Sequence, residues 1–284
     1  MLRACVISPL LLSRSRLLRH FLFEAIYRSR YDGSLISRDG SVSFVHDSRD
    51  RGPGRELFIR GTQDFGKLEV TLRLLRDSGV PPVTRMLDIG ANIGTICIPA
   101  VKRGLIGSAI GVEAVPAIER MFRANILLND MEAAIVSVHA AVSAMAGETI
   151  EIAINTGNQG DNRVGAAGDR TEFAGSVRVV TTTLDELLPD GPAGTLIWMD
   201  IQGHEGIVLS GSPRTLAGTP PLVLEFCPLL MREAGSYEAL KMAVAGYRGF
   251  HDLAHPGYLR PLADLDRLHA ALGMRGNFTD ILVL

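Results

Sequence analysis

Cysteine is scarce in this chain of 284 residues: Cys5, Cys97 and Cys227 are odd in number, far apart, and form no CxxC or Cys/His ligand spacing. Neither a disulfide framework nor a zinc site is expected, and a reducing cytoplasm fits best. No uninterrupted apolar run reaches the ~18 residues of a membrane span. Excess positive charge is missing too. Twenty-nine basic residues face 31 acidic ones, a formal net charge of −2, so no global field exists to hold a nucleic-acid backbone. The opening MLRACVISPLLLSRSR sets Arg14 and Arg16 behind its apolar stretch, the reverse of a secretory signal, and is expected to stay in the mature chain. No internal repeat, low-complexity tract or GxGxxG turn is visible.

What is present suffices for a large core. With 46% hydrophobic and 21% charged residues the composition is that of a soluble globular protein, and a chain of this length buries roughly three-quarters of its unfolded surface. Residues 1–30 hold six arginines and one acid, Glu24, among leucines and aromatics such as Leu17, Leu18, Phe21, Leu22 and Phe23. They read as a basic helix that either lies on an anionic membrane or covers the main domain with its apolar side. Residues 31–56 are rich in Gly, Ser, Asp and Arg, with RDRGPGRE (49–56) the expected boundary or flexible turn. The expected division is an N-terminal basic helical extension and linker over 1–60 and a main domain over 61–284.

From Gly61 onward helices and strands alternate. DFGKLEVTLRLLRD has helical periodicity and stops at Gly79, Pro81 and Pro82. TRMLDIG, SAIGVEA and AAIVSVHAA read as strands separated by helices over IGTICIPAVKRG and PAIERMFRANILLND. ETIEIAIN and SVRVVTTTL are more β-like and flank a polar loop from Asn155 to Gly175. TLIWMDIQ, PLVLEF and NFTDILVL return to the apolar runs of strands buried on both faces. Right-handed crossovers wind such a chain into an open, mostly parallel sheet whose ligands collect beyond the carboxyl ends of its strands.

Three strand tips carry candidate chemistry. At the first, Gly90 and Gly94 let backbone pass close to a ligand, the N–H groups of the following helix can hold a carboxylate, and Asp88 suits an ammonium while repelling a pyrophosphate. The amino-acid end of S-adenosylmethionine carries both groups. At the second, Glu113 closes the strand that follows the Gly90 turn and can accept bonds from a ribose diol. At the third, WMDIQGHE places Asp200 and His204 beside the first tip. His204 has the intrinsic pKa suited to take a proton, and Asp200 can orient it or accept the proton itself. Glu225, at the tip of PLVLEF, and the loop residues Asn158, Asp161, Asn162 and Arg163 are candidates to face a polar substrate. His251, His255 and His269 share no ligand spacing with acids or cysteines, so no metal is assigned.

MLDIGANIGT, GVEAVP, TTTLDELL, WMDIQGHEGIVLSGS and PLVLEF, in this order, resemble the FkbM family of S-adenosylmethionine-dependent methyltransferases from about residue 61 to 284. The resemblance implies a doubly wound class I methyltransferase (Rossmann-like) fold, with a seven-stranded, mostly parallel sheet whose last strand is inserted antiparallel. It also implies methyl transfer to an oxygen of a sugar, glycolipid or secondary metabolite. Carried over by position, Asp88, Gly90, Asn92 and Gly94 match the cofactor loop, Glu113 the ribose acid, and Asp200, Gly203 and Glu205 the fourth-strand motif. Two departures stand out. Ala114 and Val115 separate Glu113 from the proline that the family usually places beside it, and Gln202 replaces an acid, which weakens any divalent-cation proposal. The competing expectations are a nicotinamide-dependent oxidoreductase and a cofactor-binding module without chemistry; the acceptor and the oligomeric state are not legible.

Overall fold

A computed structural model of the chain describes residues 15–61, 64–165 and 172–284. Residues 1–14, where the basic leader begins, and part of the loop after Asn155 lie outside the described residues. The central sheet has seven strands: β1 (Arg85–Ile89), β2 (Ser108–Glu113), β3 (Ile135–His139), β4 (Thr195–Met199), β5 (Leu222–Phe226), β6 (Phe250–Asp252) and β7 (Thr279–Val283). Their order is β6-β7-β5-β4-β1-β2-β3, with β7 antiparallel to both neighbours and the other neighbouring pairs parallel. The mostly parallel sheet expected from the alternating pattern is therefore present, with the seven strands and the antiparallel insertion that the family resemblance implies.

Each central strand is apolar on both faces because helices cover both. Met86, Leu196, Trp198, Val223 and Leu282 belong to one core layer, and Leu87, Ile89, Ile197, Met199, Leu222 and Leu224 to the other. The chain leaves β1 for β2 on one side and returns as β4 on the other. This is the topological switch point, and Asp88 pairs across it with Trp198.

The N-terminal segment departs from the reading of a helix and a linker. After the helix α1 (Arg16–Arg28), part of the stretch read as linker forms a hairpin, Ser34–Asp39 with Val42–Asp47, and the end of RDRGPGRE, read as a boundary or turn, starts the helix α2 (Pro53–Arg60). The extension is thus helix, hairpin and helix. Gly, Ser and Asp suggested a loop, but Leu35, Val42 and Phe44 bury fully enough to fix a strand pair. Three further helices matter below: α3 (Phe65–Asp77), α4 (Cys97–Lys102) and α5 (Pro116–Leu128). α4 is shorter than its sequence pattern because Asn92 (φ +51°) and Gly94 (φ +89°) keep the preceding turn out of the helical region.

Two asparagines fasten the hairpin to α5. Ser43 N–H donates to Asn129 Oδ1 (2.9 Å) and Asn129 Nδ2 donates back to the Ser43 carbonyl (2.7 Å). Val45 N–H donates to Asn125 Oδ1 (2.7 Å) and Asn125 Nδ2 donates to the Val45 carbonyl (3.1 Å). The match is geometric: residues i and i+2 of a strand are ~7 Å apart and i and i+4 of a helix ~6 Å. Side-chain amides therefore take the place of a neighbouring strand. Asn125 also donates to the Ile93 carbonyl (2.9 Å), at the turn that follows β1.

Asn125→Ala leaves one buried and two partly buried backbone groups without this partner and is expected to lower unfolding free energy by about 1–3 kcal/mol, read as a fall in the urea midpoint at constant slope. A change under about 0.5 kcal/mol would mean that the hairpin contributes nothing to the folded unit.

Candidate functional site

The tips of β1, β2 and β4 open into one cleft of about 120 Å³ that is continuous with solvent. Among its lining residues are Asp88, Gly90, Asn92, Glu113, Asn162, Asp200 and His204. Gly94, Arg163 and Glu225 do not line it.

The turn after β1 satisfies its own donors. Gly90 and Ala91 N–H donate to the Val112 carbonyl (2.9 and 3.0 Å), Asn92 N–H to Glu113 Oε2 (3.0 Å), Ile93 N–H to Asn92 Oδ1 (2.8 Å) and Gly94 N–H to the Ala91 carbonyl (2.8 Å). The amides of residues 90–94 are thus taken by neighbouring oxygens, and the expectation of helix-start amides for a ligand carboxylate falls on Thr95 and Ile96, which line the cleft just before α4. Asp88 remains open as well. It is 2% exposed, and the backbone N–H and thiol of Cys97 bond its carboxyl, yet its Oδ2 has no partner. Burial pushes its pKa up to about 6.

The two glycines of the turn serve different ends. A Cβ on Gly90 (φ +78°) would collide with the Asp200 carbonyl oxygen, so glycine is what lets the first and fourth tips close together. A Cβ on Gly94 would strike Ile98 and Phe122. Gly94 is therefore required for packing α5 and does not meet the cleft, a correction to its reading as a cofactor contact.

Glu113 accepts from Asn92 N–H through Oε2 and from Val115 N–H through Oε1 (2.8 Å). Burial, augmented by Asp88, raises its pKa to about 7 even against these bonds. Each oxygen keeps a second lone pair with which to meet a ligand hydroxyl. Asn92 contributes mainly as a tie, its Nδ2 donating to the Gln159 carbonyl (3.0 Å).

The turn after β4 gathers carboxylates. Gln202, at φ +57°, donates through Nε2 to Asp200 Oδ1 (2.9 Å) and to Glu225 Oε2 (3.1 Å). Glu205 is fully buried; its Oε1 accepts from Ile201 N–H (3.0 Å) and Gly203 N–H (3.4 Å), while its Oε2 has no partner. Glu225 stands behind them, paired in register with Asp280 on β7. The ammonium of Lys67, on α3, reaches Asp280 at 2.5 Å and Asp64 at 2.9 Å. Asp200 opens toward the cleft but is enclosed by protein on its other sides. Desolvation first, then Asp280, pushes its pKa up to about 7. Burial raises Glu205 to about 8, and Glu225 is held well above the usual range by burial and by Asp200, Glu205 and Asp280. His204 is the opposite case. Burial lowers its pKa, so it stands neutral, with Nε2 3.2 Å from Ser143 Oγ.

A loop and the N-terminal segment cover the cleft together. Asp50 accepts from Gly52, Gly54 and Gln159 N–H (3.0, 2.6 and 3.0 Å), and Gln159 Nε2 donates to Asp47 Oδ2 (3.1 Å). Gln159, Gly160 and Pro53 thereby line the cleft. Asn162 is there too, but its side chain is committed to Asn155 N–H and the Gln159 carbonyl (both 2.9 Å). Arg163 turns away to Asp161 (2.7 Å) and Glu233 (3.4 Å), so its reading as a substrate contact is corrected: nearby acids outcompete the cleft for a guanidinium. Glu225 is likewise one layer behind the surface, reaching the site through Gln202. Sequence reasoning missed Gln159 and Pro53. Gln159 sat inside the polar loop already singled out, whereas nothing in RDRGPGRE pointed Pro53 at a ligand.

Among the described residues no group of three or more His, Cys, Asp or Glu side chains is placed to hold a metal ion. The open valences are instead a buried carboxylate oxygen at Asp88, a second acid at Glu113 some way along the cleft, and the Asp200–His204 pair at its other edge. They suit an elongated, cationic, hydroxyl-bearing ligand.

The model of the methyltransferase FkbM domain matches residues 88–248. No curated protein matches the chain. Solved structures with a similar fold include TYW2 of M. jannaschii in complex with AdoMet, at 11% identity and TM-score 0.44, over 89% of this chain and 85% of that one. Precorrin-6y C5,15-methyltransferase of Geobacter metallireducens GS-15 aligns at 16% identity and TM-score 0.38, over 76% and 86%. Geranyl diphosphate C-methyltransferase of Streptomyces coelicolor A3(2) aligns at 12% and 0.39, over 76% and 74%.

The buried acids set a pH dependence. Between the ordinary pKa of 4.5 and about 8, Glu205 keeps its proton in the folded chain and loses it in the unfolded one, so stability falls as pH rises through that window. Denaturant midpoints are expected to be lower at pH 8 than at pH 5, and Glu205→Gln, which keeps the acceptor for Ile201 and Gly203, is expected to shrink the difference. A midpoint that rises toward pH 8 in the unsubstituted chain contradicts this account.

Proposed function

The chain belongs to the FkbM methyltransferase family and as such transfers methyl groups from S-adenosylmethionine; from that premise we propose that the acceptor atom is a hydroxyl oxygen of a small molecule or glycan, such as a sugar, glycolipid or secondary metabolite. Membership takes the place of the nicotinamide reading. The residues present suit the cofactor: Asp88 Oδ2, buried and without a partner, would meet its ammonium, and Glu113 its ribose hydroxyls. Gly90 lets the Asp200 backbone close against the first tip, so that both tips border the same cleft. When bound, the cofactor supplies a methyl carbon made electrophilic by its positive sulfur.

The protein's share of the reaction is then positioning and proton removal. Holding the acceptor oxygen in line with the methyl carbon is worth up to ~7–11 kcal/mol in favourable cases. As the new C–O bond forms and the C–S bond breaks, the hydroxyl proton must leave. His204, held neutral by burial, can receive it, and Asp200, with a pKa near 7, is the alternative acceptor or the group that orients it. Asn162 remains a substrate-side candidate through its place in the wall. Arg163 and Glu225 act indirectly, through the loop and through Gln202. In this reading residues 1–60 are an extension that serves the transferase unit of 61–284 by covering its cleft with Pro53. A cytoplasmic location, no nucleic-acid partner, and membrane contact through the N-terminal basic helix complete the proposal. No helix among the described residues is long and apolar enough to cross a membrane.

The observation that carries the reading is the orphaned carboxylate oxygen of Asp88. Calorimetric titration is expected to show binding of S-adenosylmethionine and of its demethylated product, and none of NAD; binding of NAD alone would overturn it. Because only the ionised acid attracts an ammonium, affinity for S-adenosylmethionine is expected to rise from pH 5.5 to 7 as Asp88 loses its proton near 6. Asp88→Asn is expected to weaken binding by roughly tenfold or more and to reduce that rise. Asp200→Ala is expected to abolish turnover while sparing cofactor affinity, and turnover at the original rate would remove Asp200 from the mechanism.

A further inference from the structure

Helix α1 has apolar side chains on two sides. On one, Phe23 is fully buried with its ring 5.7 Å from that of Phe58 on α2, and Leu22 and Ile26 pack beside it. On the other, Leu17 is 66%, Phe21 63% and Leu18 42% exposed. At 3.6 residues per turn Leu17, Phe21 and Arg28 fall within about 40° of one another, with Ala25 and Leu18 alongside. A helix that covers a domain with one face ordinarily turns a polar face to water. Here the outward face is led by two leucines and a phenylalanine.

Charge says what suits that face. Arg16 and Arg28, both exposed, stand at its two ends and form no ion pair with a described residue. The helix's one acid, Glu24, lies about 20° from Leu17 on the helix, but its charge is offset by ion pairs to Arg51 (3.2 Å) and Arg55 (3.8 Å). The imbalance extends beyond the helix: residues 1–60 contain eleven arginines and six acids, whereas the rest of the chain is net acidic. A second copy of this segment is a poor occupant, since residues 1–60, with eleven arginines against six acids, would set like charge against like charge. An anionic bilayer meets both demands, taking leucine and phenylalanine at the level of the headgroups while its phosphates meet the arginines.

We propose that the outward face of α1, Leu17, Leu18 and Phe21 flanked by Arg16 and Arg28, docks on an anionic membrane surface. Arg51, which binds Glu24 of α1, is close in sequence to Pro53 in the cleft wall, so docking would hold the cleft close to the bilayer. The acceptor class narrows accordingly to a hydroxyl on the headgroup of an amphiphile. That narrowing rests on the transferase reading; the docking itself does not.

The test is co-sedimentation of the full chain with phosphatidylcholine vesicles, with and without phosphatidylglycerol. Binding is expected only with phosphatidylglycerol, falling about tenfold or more in 0.5 M salt and in L17E/F21E and R16E/R28E. Equal binding to both vesicle types, no binding to either, or full binding by L17E/F21E overturns the proposal. All four substituted side chains are exposed, and unchanged circular dichroism certifies the fold of each variant. S-adenosylmethionine titration on the same preparations separates the two claims: loss of vesicle binding with intact cofactor affinity isolates the docking face, while absent cofactor binding in the unsubstituted chain strikes the transferase reading alone.

Discussion

The cost of keeping carboxylates dry at the carboxyl edge of the sheet governs this molecule. Asp88, Glu113, Glu205, Glu225 and Asp280 are each less than a tenth exposed, and the ammonium of Lys67 reaches only the last of them. Backbone amides, a thiol and one glutamine side chain stand in for cations. Such donors lower the cost of burial without cancelling it, and the carboxyl groups answer by keeping protons to higher pH than they would in water. A ligand with positive charge on its nitrogen and its sulfur relieves that strain. In the proposed reading, the edge suits its cofactor by what it leaves uncompensated.

The strand tips were legible in the sequence because parallel strands buried on both faces must be apolar until they end, so Asp88, Glu113, Asp200 and Glu225 mark their ends as acids at the close of hydrophobic runs. Whether a tip residue reaches the cleft was not legible. Gly94 looks like Gly90 in sequence, yet one serves Phe122 and the other Asp200, a difference of direction that a one-dimensional pattern does not hold. Arg163 looked free until the fold brought Glu233 to it. The hairpin over 34–47 was hidden for a related reason: its second strand completes its hydrogen bonding on Asn125 and Asn129, far along the chain, and nothing local announces that pairing.

The N-terminal segment and the polar loop cannot be treated as separate ornaments. Asp50 binds the amides that start α2 and also Gln159 N–H, so the same carboxylate orders the extension and the roof of the cleft. Gln159 passes the constraint to Asn92, and Asn92 to Glu113. A continuous run of hydrogen bonds therefore joins the extension to the acid proposed to hold the ribose. The variable-looking part of the chain is wired to its most recognisable motif.

The antiparallel seat of β7 between β5 and β6 has a bearing on biosynthesis. While the polypeptide is still growing, β5 has no neighbour on that flank, and β6, apart from the Phe250–Arg260 bridge, has no neighbouring strand in the sheet until β7 is made. Asp280, the partner of Lys67, arrives on that same strand. The flank of the carboxyl edge that carries Asp280 therefore stays unassembled until β7 has been synthesised, and a nascent chain in that interval offers an unpaired hydrophobic strand for chaperones to shield.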